Sequence, residues 1–536
     1  MKLRVHPKEW GPLQRAAAVV AAAAVVGLGA WLVNFLWPGP CGDDLEEVGG
    51  ECVGVTDKAF PVADAGVQKL VEAIEKENHS GAKTRLHVRV ALTMPFTYAD
   101  RRSADNTSTL TKEMIRHALA GTLVEQKRFN KQQRRLWLQV LPAPVGKNLD
   151  KWPPVHDQIE AMTDDKAPVV GVTGVPSSTR TTQEAVKDLS ARGIPTFGPL
   201  VSSTDMTAEV DGRDHLFKTS PSNEEFVHAL RKYLDLHPQG SDASKDERGI
   251  LVYDREEDAY AQDLKDEMEE EFDKDWGVRG TSVEYSGITS RSKGQPRDFD
   301  DATEDICGGK IDTIFFAGRD QDLPRLISEI EEGRCEKKPR RILKVGTGFD
   351  PSLTSPDNLD DMDKANITLV DASSVDTGWW NRERGIPDGV DNFRDEFEAE
   401  FQGESGKWKK SYGLGTKPLD DGYAAMSHDG LRALADAVED SYNENLKHSK
   451  KTLRFHEVYN NLRNSAYNAD RCAYEDCLEG AGGTYGLGRS DRKQWSVCKP
   501  VPVLELDAHK QVKPKRSDGP LYRTYQDKIK EDCPSD

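Results

Sequence analysis

Val169-Val-Gly-Val-Thr-Gly-Val-Pro-Ser-Ser-Thr179, an amphipathic run to Arg192, and Gly193-Ile-Pro-Thr-Phe-Gly-Pro-Leu-Val-Ser-Ser-Thr-Asp-Met-Thr207 decide how this chain folds. The first run reads as a buried strand whose small-residue loop opens a helix. The second reads as another strand that ends in a second small-residue loop. Two successive strands therefore bring hydroxyl-rich loops to the same edge of one sheet. Exposed N–H groups at a helix start, beside Ser and Thr hydroxyls, hold an anionic group such as a carboxylate. Open α/β sheets take their ligands at the carboxyl ends of their strands.

Outward from this stretch the same alternation recurs. Strands are expected at residues 86–92 and 135–141 before it, and at 249–253, 278–285, 311–316, 341–345 and 367–371 after it. Helical periodicity fills the intervals, at 110–130, 224–236, 258–272, 298–307 and 323–332. Strands spaced by helices of this length imply parallel sheets with right-handed crossovers. Further helices are expected at 393–401, 422–442 and 453–462. Residues 472–488 read as Gly-rich and irregular, 494–506 as a final strand pair, and 507–536 as a loose polar tail that Cys533 ties back.

A chain of 536 residues is long enough for two or three domains. Its net charge of −19 argues against nucleic acid as a partner, which needs clustered Lys and Arg. Acidic runs such as 267–275 read as solvated helix faces. The N-terminal region sets the expected topology. Lys2, Arg4, Lys8 and Arg15 precede residues 16–37, which carry no charge. A helix of that length spans on the order of 30 Å, the thickness of a hydrocarbon core. The basic flank keeps the N-terminus in the cytoplasm and sends the main domain outside the cell membrane as a single-pass protein. A cleaved signal peptide competes with this reading, but its apolar core is shorter, and no clear cleavage site follows here.

Eight cysteines, at 41, 52, 307, 335, 472, 477, 498 and 533, suit an oxidising exterior. Cys41 and Cys52 would close a short loop. Cys307 ends one helix and Cys335 follows the next, so they can face each other across a βαβ unit. Cys472–Cys477 and Cys498–Cys533 complete the set, although spacing alone does not fix connectivity. No Cys-x-x-Cys pair and no zinc-type His spacing is present, so no metal site is expected.

The small residue, Ser-Ser-Thr, helix, Gly-Ile-Pro, strand and Gly-Pro-x-x-Ser pattern resembles the first lobe of type I periplasmic binding proteins. Within that superfamily the chain looks like the leucine/isoleucine/valine-binding receptors of ABC transporters. The resemblance covers roughly residues 85–506. It implies an α/β fold of two doubly wound parallel-sheet lobes, here behind one N-terminal transmembrane helix. Combined with the N-terminal reading, it divides the chain into a basic cytoplasmic flank (1–15), a transmembrane anchor (16–37) and a juxtamembrane segment with a helix (38–84). Lobe I follows at 85–218 and 377–445, lobe II at 219–376 and 446–506, and a tail at 507–536. The function implied is capture of an amino acid or similar small polar metabolite between the lobes. The solute then passes to an ABC permease, or closure signals to a membrane partner. No cofactor is implied.

By position against that family's pattern, Ser177 and Ser178 match the serines that hold a ligand carboxylate. Ser202, with Leu200 and Val201 beside it, matches the second loop, and Tyr260 matches an aromatic residue at the mouth of the second lobe. Helix capping is the plainer role for the serines. Two departures weigh against a branched-chain ligand. Arg319-Asp320 stands where the family has aromatic residues, and Asp350 stands near the acid that pairs with the ligand amine. Arg319 favours an additional anionic group and Asp350 a cationic amine. A protein that kept the fold as an anchored sensor or interaction module would instead fill the cleft itself, for instance with Arg319 paired to Asp350. Catalysis has no sequence support. There is no Gly-x-Ser-x-Gly, His456-Glu457 lacks the second His of a zinc helix, and Gly403-Glu-Ser-Gly-Lys407 lacks the first Gly of a phosphate loop.

Overall fold

The computed structural model describes residues 40–81, 84–98, 109–133, 135–238, 249–255, 258–288, 299–309, 311–333, 335, 337–382, 385–464, 477–488, 494–510, 513–528 and 533. The expected membrane helix at 16–37 lies outside them. Among the described residues no helix is long and apolar enough to cross a membrane.

A hairpin of β1 (Leu45–Val48) and β2 (Glu51–Gly54) opens the described chain, closed by the expected Cys41–Cys52 bond. This part of the expected juxtamembrane segment is folded because Val53 and Val55 need cover, which they find among Val145, Val155 and Ile159. Helix α1 (Ala65–His79) follows, started by Asp64, whose carboxylate accepts the N–H groups of Gly66 and Val67. Then β3 (Leu86–Met94), α2 (Lys112–Gln132), β4 (Leu136–Pro144), α3 (Trp152–Ala161), β5 (Val169–Thr173), α4 (Arg180–Ala191), β6 (Thr196–Phe197) and β7 (Leu216–Phe217) alternate. Every residue of β5 is buried, as a β-branched strand covered on both faces requires. The strands form one parallel sheet in the order β4-β3-β5-β6-β7.

The chain then crosses to the second lobe. Here α5 (Asn223–Leu236), β8 (Gly249–Asp254), α6 (Ala259–Trp276), β9 (Val283–Tyr285), α7 (Asp300–Gly308), β10 (Thr313–Ala317), α8 (Leu323–Glu332), β11 (Arg340–Gly346), α9 (Pro356–Ala365) and β12 (Ile367–Ser373) build a second sheet. Its parallel part runs β9-β8-β10-β11-β12. In chain order both sheets therefore read second, first, third, fourth, fifth. Such a sheet opens a crevice where the order reverses, outside the first and third strands. The two crevices face each other across one cleft. Cys307 and Cys335 are bonded beside α8, as their placement suggested.

After the return, α10 (Val390–Phe401), α11 (Tyr423–Lys447) and α12 (Phe455–Asn464) cover the first lobe. Gly121 lets α11 lie directly on α2, since a Cβ there would stand 1.9 Å from the Ala424 carbonyl oxygen. The segment 446–506 does not pass as a whole into the second lobe. The sheet β13 (Leu478–Gly480), β14 (Gly483–Leu487) and β15 (Ser496–Val497) buries Leu478, Tyr485 and Leu487 in the first lobe's core. Residues 478–487, expected to be irregular, are therefore a hairpin. Only β17 (Val503–Asp507) joins the second sheet, antiparallel to β12, with β18 (Lys515–Arg516) at its edge. Strand β16 (Pro500–Val501) pairs with β19 (Tyr522–Arg523). The tail expected to be loose is thus held. The Tyr522 hydroxyl and the Tyr525 N–H both donate to Glu225 Oε2 at 2.8 Å, and Cys498 is bonded to Cys533. Cys477 is disulfide-bonded, and its expected partner Cys472 lies outside the described residues.

Candidate functional site

Loops at the carboxyl ends of both sheets line one closed cleft. The first lobe contributes Ser177 and Ser178 after β5 and Leu200 and Ser202 after β6. The second contributes Tyr260 in the first turn of α6, Arg319 after β10 and Asp350 after β11. Val201 does not reach the cleft; its side chain is fully buried under the loop with Val175, Val186 and Leu216. Seven of the eight sequence-expected residues are therefore brought together.

The serines are not the helix cap. Thr179 is, accepting the Thr182 N–H at 3.1 Å. Ser178 Oγ instead accepts the N–H groups of Ser202 and Ser203, each at 3.1 Å, and so ties the first loop to the second. The Ser178 carbonyl accepts the Tyr260 N–H from the opposite lobe at 3.0 Å. The Tyr260 hydroxyl donates to the Val345 carbonyl at 2.8 Å. Burial holds that phenol well above its ordinary pKa, so it stays a neutral donor.

Arg319 is paired, but with Asp258 rather than Asp350. Its Nε and Nη2 donate to the two Asp258 oxygens at 2.6 and 2.8 Å, and the guanidinium lies 5.0 Å from the Tyr260 ring centre. Burial opposes the Arg319 charge, and Asp258 outweighs it. Asp350 accepts the N–H and the hydroxyl of Ser352, at 2.8 and 2.5 Å. Behind it the Lys344 ammonium is shared by Asp320 at 3.1 Å and Asp371 at 2.8 Å. Burial pushes both carboxyls up, and Lys344 only partly offsets it.

The lobes are closed by direct bonds. The Phe349 N–H reaches the Asp420 carbonyl at 3.0 Å, the Thr347 hydroxyl the Asp421 carbonyl at 2.9 Å, and Gln321 Nε2 the Thr109 carbonyl at 3.4 Å. Gly348 permits this seam, because a Cβ there would lie 2.3 Å from the Asp420 carbonyl oxygen. On the hinge side, Asp263 of α6 accepts the N–H groups of Thr204 and Asp205 at 2.8 and 3.1 Å. The space left in the cleft is about 70 Å³, small beside the roughly 300–1,000 Å³ of drug-sized sites. Among the described residues, the buried hydroxyls of Thr109, Ser177 and Ser220 line it without a hydrogen-bond partner. Asp421 lines it from the first lobe, with His117 Nδ1 at 2.6 Å from its Oδ2. Burial lowers the His117 pKa, but Asp421, with the Leu414 carbonyl and Glu113, raises it above its ordinary value.

Sequence reasoning missed Asp258, Asp320, Asp421, Thr109 and Ser220. Asp258 and Asp421 each stand just before a helix, where an acid reads as a cap, and both do accept an N–H of the first turn. That signal marks the helix start but not the second role.

No family model matches the sequence, and no curated protein does. Solved structures do match. The isoleucine complex of the branched-chain amino acid transporter substrate-binding protein LivJ from Streptococcus pneumoniae aligns at a TM-score of 0.51 and 13% identity, over 81% of this chain and 100% of that one. The leucine-binding protein LivK from Thermotoga maritima aligns at 0.52 and 14%, over 80% of this chain and 98% of that one. An ABC transporter substrate-binding protein from Desulfitobacterium hafniense in complex with Leu aligns at 0.51 and 17%, over 80% and 100%. The fold is that of the type I periplasmic binding proteins. The aligned proteins are described as substrate-binding or leucine-binding proteins, and essentially their whole length is spanned by this chain.

Proposed function

We propose that this protein is a membrane-anchored, extracytoplasmic receptor for a small amino-acid-like solute. In this reading the solute is held between the lobes and delivered to an ABC permease. The observation that carries it is the opposition within one cleft of three unbonded hydroxyls, on Thr109, Ser177 and Ser220, and the acids Asp320 and Asp350. Buried polar groups without a partner cost roughly 1–3 kcal/mol each. A solute with a carboxylate at one end and an amine at the other answers both sides. Residues 16–37 supply the anchor in this reading, on sequence grounds alone.

Thermal unfolding of the full-length protein against a panel of amino acids and small amines tests it. A ligand at about 100 times its Kd adds roughly 2.7 kcal/mol to the folded state. The expected hit is lost in Ser177→Ala and in Asp350→Asn. A panel that never moves the transition rejects the receptor. It then favours the second reading, an anchored sensor or interaction protein whose cleft is occupied by its own Arg319–Asp258 pair and interlobe bonds.

A further inference from the structure

Outside the cleft, the hinge carries an open groove of about 870 Å³. The crossover at 376–381, the loop at 416–420 and residues 513–516, which include β18, supply most of its lining, and Glu398 and Trp408 complete it. In a chain of net charge −19, this groove gathers Lys417, Lys513, Lys515 and Arg516. Arg516 faces Asp376 at 3.6 Å and Lys417 faces Asp420 at 4.0 Å. Lys513 and Lys515 make no ion pair among the described residues and both are exposed, with Lys513 acting on Asp420 only through space. Glu398 is the remaining acid of the lining.

Two indoles complete the groove. Trp380 and Trp408 line it, each backed by a phenylalanine ring in edge contact, Phe393 and Phe397 respectively. The Trp408 N–H donates to the Thr416 carbonyl at 3.1 Å. The Trp380 N–H is buried, and no acceptor for it stands among the described residues. Thr377 and Asn381 add neutral polar groups. Fixed indoles, amide and hydroxyl groups, and unpaired ammonium groups on one wall match a ligand that combines apolar ring faces, many hydroxyls and negative charge. A phosphate alone would use only the lysines. A polyglutamate peptide would use the lysines and the neutral groups but offer the indoles no ring face. We infer that the hinge groove is a second binding site, for a short acidic oligosaccharide, distinct from the interlobe cleft.

Isothermal titration of the full-length protein in detergent with trigalacturonic acid tests this. Saturable binding is expected. It should weaken roughly tenfold or more in the Lys513→Ala/Lys515→Ala double variant, at least the scale of one charge-assisted hydrogen bond. Trp380→Phe, which removes the indole N–H and leaves a smaller aromatic ring, should weaken it less. Galactotriose, which lacks the carboxylates, should not bind. Both lysines are exposed, so the double variant retains the fold, which its unchanged melting transition checks. The inference is overturned by absence of binding, by binding that the double variant does not alter, or by a hexaglutamate peptide or inorganic phosphate that binds as tightly as the sugar. The interlobe solute plays no part in this titration, so the receptor reading and the groove fail separately.

Discussion

The two lobes place their strands in the same order, yet they bring opposite chemistry to the cleft. The first lobe edges it largely with serine and threonine hydroxyls and backbone amides. There the Ser178 hydroxyl joins two loops, accepting the N–H groups of Ser202 and Ser203, 24 and 25 residues away. The second lobe edges it with buried charge held in ion pairs. Arg319 finds Asp258 61 residues away, and Lys344 finds Asp320 24 residues away. The strand order explains why both sets of loops meet. It does not explain their charge, which belongs to the residues alone. A neutral rim and a charged rim should therefore fail differently when altered, and that difference can be measured.

The largest expected effect is in the charged rim. Removing one member of a buried, hydrogen-bonded ion pair leaves the other uncompensated and costs roughly 3–5 kcal/mol. Arg319→Met and Asp258→Leu should each lower the unfolding free energy read from urea titration by that scale. The double variant should recover most of the loss, because two apolar side chains leave no orphan charge. A double variant as unstable as the sum of the singles would show that the pair does not act as a unit.

The next effect depends on pH and lies at the hinge-side clasp. Burial pushes the Asp263 carboxyl up to about 6, against the lowering effect of the Thr204, Asp205 and Asn223 donors. Asp205 and Glu267 face it, and Glu267 is itself pushed up to about 7, by burial and then by Asp263. A folded-state pKa above the ordinary value means that the folded chain binds more protons between about pH 4 and 6. Stability from this group is therefore present at low pH and lost as pH rises through about 6. A shift of about two units corresponds to roughly 3 kcal/mol across that window. Asp263→Asn should flatten this part of the stability profile, read as urea midpoints at several pH values. An unchanged slope would mean that Asp263 does not titrate there.

These contrasts also show what the sequence carried. The neutral rim was legible, because strand, small-residue loop and helix lie within one continuous stretch, 169–207. Seven of the eight residues expected from it and from the resemblance line one cleft. Val201 failed because neighbours in a loop can face opposite ways, and its apolar side chain is drawn into the core with Val175. Partners in the charged rim were not legible, since Asp258 and Asp320 are two among 92 acids, and only the closed sheet order selects them. The C-terminal segment was misread for another reason. Strands β18 and β19 have two residues each and show no periodicity, so the contacts of Tyr522 and Tyr525 with Glu225 are visible only in three dimensions.

The smallest expected effect is the most diagnostic for the neutral rim. The Ser177 side chain is 3% exposed, and its hydroxyl has no hydrogen-bond partner among the described residues. Replacing a bonded buried hydroxyl by a methyl group usually costs stability. Replacing an unbonded one removes a desolvation cost instead, so Ser177→Ala should change unliganded stability by less than about 1 kcal/mol, toward greater stability. Ser178→Ala, which deprives two buried N–H groups of their acceptor, should be destabilising by more than that. If Ser177 exists to meet a solute, its removal should abolish ligand-induced stabilisation while leaving the unliganded protein unharmed. A Ser177→Ala variant that is strongly destabilised would place the hydroxyl in the framework of the lobe, and the neutral rim would then resemble the charged one after all.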